Sequence, residues 1–303
     1  MALSLVLILI AGINFSLLIP VNKIAGDAGM PNFAYVFWYA LGAGLILLVA
    51  AIVRRELPQF TLAHLRLYFV CAALGFAFPF ALLAFVATKL PSGVTVLLLT
   101  LTPVFTYALA VLLRLDRFRL ISAAGLLTAI AGVLLVVIPG GSLPAPSMAL
   151  WFVVALLIPF GFGALNVFVE RFRPPASTSL GLAVGNLFAG ALLLVPFLPA
   201  TDQLYLFPGP DLDGDLSLVA AVIINVIMWP LFYVIVRRAG ATLFSIVNII
   251  GVVGGIGWGI LFFGETHSAY VWGAAALMLA AFVMMVIGSI QSRGRASRAG
   301  EPA

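Results

Sequence analysis

The stretch Leu3-Ser-Leu-Val-Leu-Ile-Leu-Ile-Ala-Gly-Ile-Asn-Phe-Ser-Leu-Leu-Ile-Pro-Val-Asn-Lys-Ile-Ala25 decides the fold. Its only charge is Lys23, near the end, and it exceeds the ~20 apolar residues that an α-helix needs to cross a bilayer. No basic segment precedes it, no A-x-A cleavage site follows, and it is too long for a signal-peptide core. It reads as a retained helix. Working outward, comparable runs lie at about 31–53, 66–89, 92–113, 119–138, 149–171, 177–198, 216–237, 241–263 and 269–290. Each must be helical, because lipid offers backbone groups no other partner. The expected fold is all-α and integral to the membrane, with ten transmembrane helices.

Composition agrees. Hydrophobic residues make up 64% and charged residues 8% of the chain, against about a quarter charged in soluble domains. The mean hydropathy is +1.24. The net charge of +5 does not point to nucleic acid, because the basic residues sit between apolar runs and not in one patch. Cys71 is the only cysteine, and His64 and His267 lie far apart. Neither an intrachain disulfide nor a metal site is expected, and no cofactor.

With ten spans, thirteen arginines (Arg54, Arg55, Arg66, Arg114, Arg117, Arg119, Arg171, Arg173, Arg237, Arg238, Arg293, Arg295 and Arg298) fall on one side and two lysines, Lys23 and Lys89, on the other. Arginine and lysine favour the cytoplasmic face, which places both termini there. Asp202, Asp211, Asp213 and Asp215 lie in the longest loop on the opposite side and lack the spacing of a calcium loop.

Sliding the chain by 149 positions (238 − 89) brings Lys89 onto Arg238, Leu112 onto Leu261 and Asp116 onto Glu265. Repeats of five spans each have opposite topology, a recurring plan of secondary transporters with cargo held between the halves. The expected organisation is residues 1–140 and 141–290 as two inverted five-helix repeats, then a basic cytoplasmic tail at 291–303.

The stretch Ala81-Leu-Leu-Ala-Phe-Val-Ala-Thr-Lys89, then Ser92-Gly-Val and Leu101-Thr-Pro103-Val-Phe, resembles the third and fourth helices of the drug/metabolite transporter superfamily, in its ten-helix EamA-type branch. Phe262-Phe-Gly-Glu265 followed by Gly273 is similar to that family's ninth-to-tenth connection. The likeness covers nearly the whole chain and is closest to the bacterial aromatic amino-acid exporters. It implies a multi-pass protein of the bacterial cytoplasmic (inner) membrane that exports small molecules. The chain departs from the pattern at Phe37-Trp38-Tyr39, where the family often has an arginine, at Asp116, and at Val252, the counterpart of Pro103.

Polar residues inside spans are costly and turn toward the bundle interior. Asn14, Ser16, Thr100, Thr102, Asn166, Asn186, Asn225, Ser245 and Asn248 are of this kind; the competing role of each is hydrogen-bonding between packed helices. Pro79, Pro103, Pro159 and Pro230 each remove an amide donor and bend their helix. Pro79 and Pro230 nearly coincide under the repeat offset, which makes them a paired hinge. Aromatics flank the bends: Phe76, Phe78 and Phe80, Phe160 and Phe162, Trp229 and Tyr233. Such rings suit a planar side chain or an ammonium group. The expected binding set is Asn14, Ser16, Phe78, Pro79, Phe160, Asn166, Trp229, Ser245 and Asn248, with Pro79, Pro103, Pro159 and Pro230 as hinges or gates. Gly251, Gly255 and Gly259 form a small-residue packing face beside Gly254 and Gly257.

The apolar runs carry no mid-span carboxylate, so transport is expected either uncoupled or coupled through Glu265 near a mouth. The expected cargo is a small amphipathic metabolite such as an amino acid, aromatic ones included, moved by alternating access through a central cavity, with lipid as the surroundings. A broad multidrug or other metabolite carrier is the alternative. A channel would want a filter or ring of charges, and an enzyme a nucleophile–base pair; neither is visible. A monomer suffices, and the sequence leaves the oligomeric state open.

Overall fold

In the computed structural model, residues 2–79, 82, 99, 101–137, 149–264 and 269–299 are described, and their regular elements are all helical. Phe80, most of the 81–89 stretch, Ser92-Gly-Val, Thr100, the boundary at 140–141, Glu265 and His267 lie outside the described residues. The elements are α1 (Ala2–Ser16), α2 (Leu18–Asp27), α3 (Asn32–Arg54), α4 (Leu62–Ala72) continued by a π-helical turn (Ala73–Ala77), α5 (Thr102–Leu112) and α6 (Leu120–Val137). They continue as α7 (Ala149–Ala155), α8 (Leu157–Phe172), α9 (Ser179–Leu194), α10 (Phe197–Ala200), α11 (Leu212–Ala239), α12 (Ala241–Ser245), α13 (Val247–Phe263) and α14 (Ala269–Ala299).

Among the described residues, six segments are long and apolar enough to cross a membrane: Leu3–Asp27, Asn32–Arg54, Val153–Phe172, Ser179–Ala200, Leu212–Ala239 and Ala241–Phe263. Shorter apolar helices at Leu62–Ala77, Thr102–Leu112, Leu120–Leu135 and Trp272–Gly288 overlap four of the remaining runs, the first starting four residues before the expected 66. The last helix continues to Ala299, into residues expected as a tail. Side chains are arranged for lipid. Ile13 is 55% exposed while its neighbour Asn14 is 8% exposed, and Leu3, Val6 and Ile10 share the outward face of α1 around buried Ser4. Polar inside and apolar outside is the reverse of a soluble helix.

Three spans are broken at one residue. Leu17 separates α1 from α2, Leu156 separates α7 from α8, and Ile246 separates α12 from α13. The first two breaks open the same tetrapeptide, Leu17-Leu-Ile-Pro20 and Leu156-Leu-Ile-Pro159. Proline lacks the amide that would bond four residues back, so it sits in the first turn of the next helix, where that amide would be unpaired anyway. Pro103 also occupies a first turn, after Leu101. Pro103 and Pro159, expected as hinges, thus each stand in a first turn just after an interruption of the regular helix. Pro230 alone, of the four, lies inside an unbroken described helix, and Pro79 follows the π-helical turn.

Helices from the two ends of the sequence interleave. The main partners of α1 are α13 and α11, α3 packs on α9 and α11, α4 on α9, α5 on α8, and α6 on α14. Glycines set the closest approaches. A Cβ at Gly251 would meet the Phe15 ring at 2.5 Å and one at Gly254 would meet Ser16 at 2.7 Å, so the glycine face of α13 lies on α1. A Cβ at Gly163 would come within 2.9 Å of the Thr106 backbone nitrogen on α5, whereas one at Gly257 would meet nothing within 4 Å. Gly163→Ala should therefore cost about 1–3 kcal/mol through overpacking. Gly257→Ala should be neutral or stabilising by up to ~1 kcal/mol through helix propensity. Unfolding of both variants in detergent checks the contrast.

Candidate functional site

The interior side chains meet at the faces where the interleaved helices touch. Phe76, in the π-helical turn, stacks on Trp229 of α11 with ring centroids 5.0 Å apart and planes at 28°. Gly190 on α9 and Gly75 make room for them: a Cβ at Gly190 would stand 2.7 Å from the Phe76 ring, and one at Gly75 would stand 3.4 Å from the Trp229 ring. The Trp229 indole N–H donates to Asn225 Oδ1 (3.1 Å), and Asn225 Nδ2 donates to the Ala221 carbonyl (2.9 Å). This ladder lies one turn before Pro230, whose missing amide leaves the Val226 carbonyl without its helical donor.

A second aromatic group forms on α8. Gly161 lies against Phe78, with a Cβ position 3.3 Å from its ring. Phe160 beside it meets Phe105 of α5 edge-on at 5.8 Å. Phe78 and Phe160 are each 40% exposed. The structure therefore brings Phe78 and Phe160 to one region and Trp229 to the neighbouring one, with Phe76 joining α4 to α11.

The polar residues expected in the site bond within the protein. Asn14 Nδ2 donates to the Ile224 carbonyl (3.0 Å), tying α1 to α11. Ser16 Oγ accepts the Trp258 indole N–H (2.8 Å) and donates to the Ile13 carbonyl (2.7 Å). Asn166 Nδ2 donates to Thr106 Oγ1 (3.2 Å), tying α8 to α5. The Thr102 hydroxyl donates to the Leu99 carbonyl (2.7 Å), the acceptor that Pro103 leaves without an amide. At the break in α12–α13, Asn248 Nδ2 donates to the Ser245 carbonyl (3.2 Å), and Ser245 Oγ donates to the Thr242 carbonyl (2.7 Å). Side chains there do locally what proline does in the other breaks: they detach a carbonyl from the helical ladder.

Several residues were not singled out as site candidates. Glu170, at the end of α8, accepts the Ala241 N–H (2.7 Å) at the start of α12, beside Gly240, whose φ of +84° suits glycine. Arg173 donates to the Tyr233 carbonyl (2.7 Å) and the Ser177 carbonyl (3.0 Å), linking the end of α8 to α11. Burial and neighbouring Arg237 pull its pKa down to about 10, so it stays charged at neutral pH. At the other end, Lys23 stands 4.1 Å from the Phe263 ring. An acid-lined cleft of about 290 Å³ opens there between Ile24, Asp27, Ala28, Asp211 and Asp213. Nearby, Gln203 Oε1 accepts the Phe33 N–H (2.8 Å), and the Trp38 indole donates to the Tyr205 carbonyl (2.8 Å). The spacing of Glu170 in an apolar helix was the signal available for it; nothing local marks the partners of Arg173.

Interhelical side-chain bonds in membranes average about 0.6 kcal/mol, with a maximum near 1.7. A double-mutant cycle of Asn166→Leu and Thr106→Val on unfolding should return a coupling in that range. Additive single effects would show that α5 and α8 are held by packing alone.

Residues 2–138 match the model of the EamA-like transporter family. One solved protein crystal structure shares the fold with a TM-score of 0.72 at 18% identity, over 93% of this chain and 98% of its own. Among curated proteins none matches the chain. The first part of the chain is thus similar to a transporter family, and the six membrane-crossing helices among the described residues support a multi-pass membrane protein.

Proposed function

We propose that the protein is a secondary transporter that exports small amphipathic metabolites, amino acids including aromatic ones among them. It works by alternating access between two inverted five-helix halves in a bacterial inner membrane, with both termini in the cytoplasm. The observation that carries this reading is how the helices pair. Exchanging the first-half spans with their second-half counterparts turns α1 on α13 into α8 on α5. It turns α4 on α9 into α11 on α3, and it leaves α3 on α9 and α6 on α14 unchanged. The Ser16–Trp258 and Asn166–Thr106 bonds follow the same exchange. So do the two Leu-Leu-Ile-Pro breaks, 139 positions apart (156 − 17). These features support the inverted repeat and its ten spans.

Phe78 and Phe160, each 40% exposed, and the partly exposed Trp229, backed by buried Phe76, are the rings available to a planar apolar cargo. Export of such a cargo is what the sequence resemblance to aromatic amino-acid exporters implies, and uncoupled movement down a gradient needs no carboxylate in the path. Coupling through Glu265 is the competing arrangement. A broad carrier of lipophilic cations is the second reading, favoured by the acidic cleft at Asp27, Asp211 and Asp213.

Purified protein in liposomes, offered phenylalanine, threonine, a quaternary ammonium and a nucleotide sugar, should take up phenylalanine, with uptake surviving collapse of a pH gradient. Uptake of the cation alone would contradict the amino-acid reading. Loss of uptake with the pH gradient would contradict the uncoupled one.

A further inference from the structure

Asn186 on α9 is fully buried, yet neither polar atom of its side chain has a hydrogen-bond partner. The same holds for the hydroxyl of Tyr233 on α11, also fully buried. More than nine in ten buried polar groups in folded proteins are bonded, and the cost of leaving one unbonded is higher inside a membrane. His64 Nε2 and the Tyr68 hydroxyl are buried without a partner as well, but of the four residues only Asn186 leaves two polar side-chain atoms unbonded, and only Tyr233 neighbours Trp229.

Their surroundings place them in one wedge. On α9, a Cβ at Gly185 would run into the Tyr68 ring of α4 and one at Gly190 into Phe76. One residue turns a helix by about 100°, so Asn186 points between those two directions, toward α4 and the aromatic pair. Tyr233 is one turn along α11 from Trp229, its ring 6.5 Å from the indole. Its hydroxyl lies beside the thiol of Cys71 on α4. Immediately after Cys71 the helix passes into the π-helical turn Ala73–Ala77, a distortion often found at functional sites. Arg173 holds the backbone of Tyr233 from the arginine-bearing end.

We infer that Asn186 and Tyr233 form a polar subsite beside the Phe76–Trp229 pair, and that it binds the hydrogen-bonding head of an amphipathic cargo whose apolar part lies on the rings. The inference rests on the transport reading above. The amide offers a donor and an acceptor and the phenol offers both in one atom. This set suits a neutral or zwitterionic head and disfavours a lone cation. Apart from the Cys71 thiol beside the phenol, neither side chain has a polar partner within the protein, unlike Asn14, Asn166 or Asn225.

The test uses reconstituted full-length protein with phenylalanine as the probe. Asn186→Leu and Tyr233→Phe remove the polar groups while keeping the volume. Each should raise the KM for phenylalanine about tenfold, as losing a hydrogen bond of ~1.4 kcal/mol would, without lowering the melting temperature. Cys71, the only cysteine, is a native reporter. Phenylalanine should slow its alkylation by N-ethylmaleimide in the parent protein, and this protection should be lost in Asn186→Leu. An unchanged KM in both variants, or alkylation indifferent to phenylalanine while transport proceeds, would overturn the subsite and leave the transport reading intact. A parent protein that moves neither phenylalanine nor a quaternary ammonium would fail the transport reading itself, and the subsite with it.

Discussion

Lipid offers no hydrogen bonds, and the rest of this structure follows from that. Every described span is helical because, within one segment, only a helix bonds its own backbone. The side chains are sorted the same way: Ile13 faces outward at 55% exposure while Asn14 and Ser16 turn in. Once inside, Asn14, Ser16 and Asn166 each bond a second helix. Interior polarity thereby becomes a set of ties between the first and second parts of the chain.

The same constraint makes the broken helices informative. Breaking a helix in lipid exposes a carbonyl, and this chain repeatedly manages the cost with a local donor. Thr102 bonds the Leu99 carbonyl that Pro103 leaves free, and Asn248 bonds the Ser245 carbonyl at the break without a proline. Breaks built with such local support can change geometry without losing all their bonds. The glycine face of α13 lets Phe15 and Ser16 of α1 approach its backbone closely.

Much of the fold was legible in the sequence. The positions of Leu3–Asp27, Asn32–Arg54, Ser179–Ala200 and Ala241–Phe263 follow hydropathy to within a few residues, because lipid selects for apolar length directly. The glycines at 251 and 254 were legible as a packing face because their spacing reports the face itself. The breaks were not. Hydropathy is blind to which amide bonds which carbonyl, and the duplicated Leu-Leu-Ile-Pro stands at an offset of 139, ten short of the 149 that aligns the charged ends, so loops of unequal length hid it. The partners of the polar residues were also hidden. Whether Asn166 faces Thr106 or cargo depends on the rotation of α8 against α5, which close contact at Gly163 sets. Asn186 looked like any other interior asparagine until its surroundings showed both polar atoms unbonded.

The central claim is that two inverted halves exchange access to one interior site. Paired spin labels on a Cys71→Ala background would test it most directly, with one pair at Arg55 and Arg237 and the other at Gly26 and Leu212, toward opposite ends of the bundle. Adding phenylalanine should move the two distance distributions in opposite directions, one pair closing as the other opens. Distances that stay fixed, or that change in the same direction at both ends, would contradict alternating access.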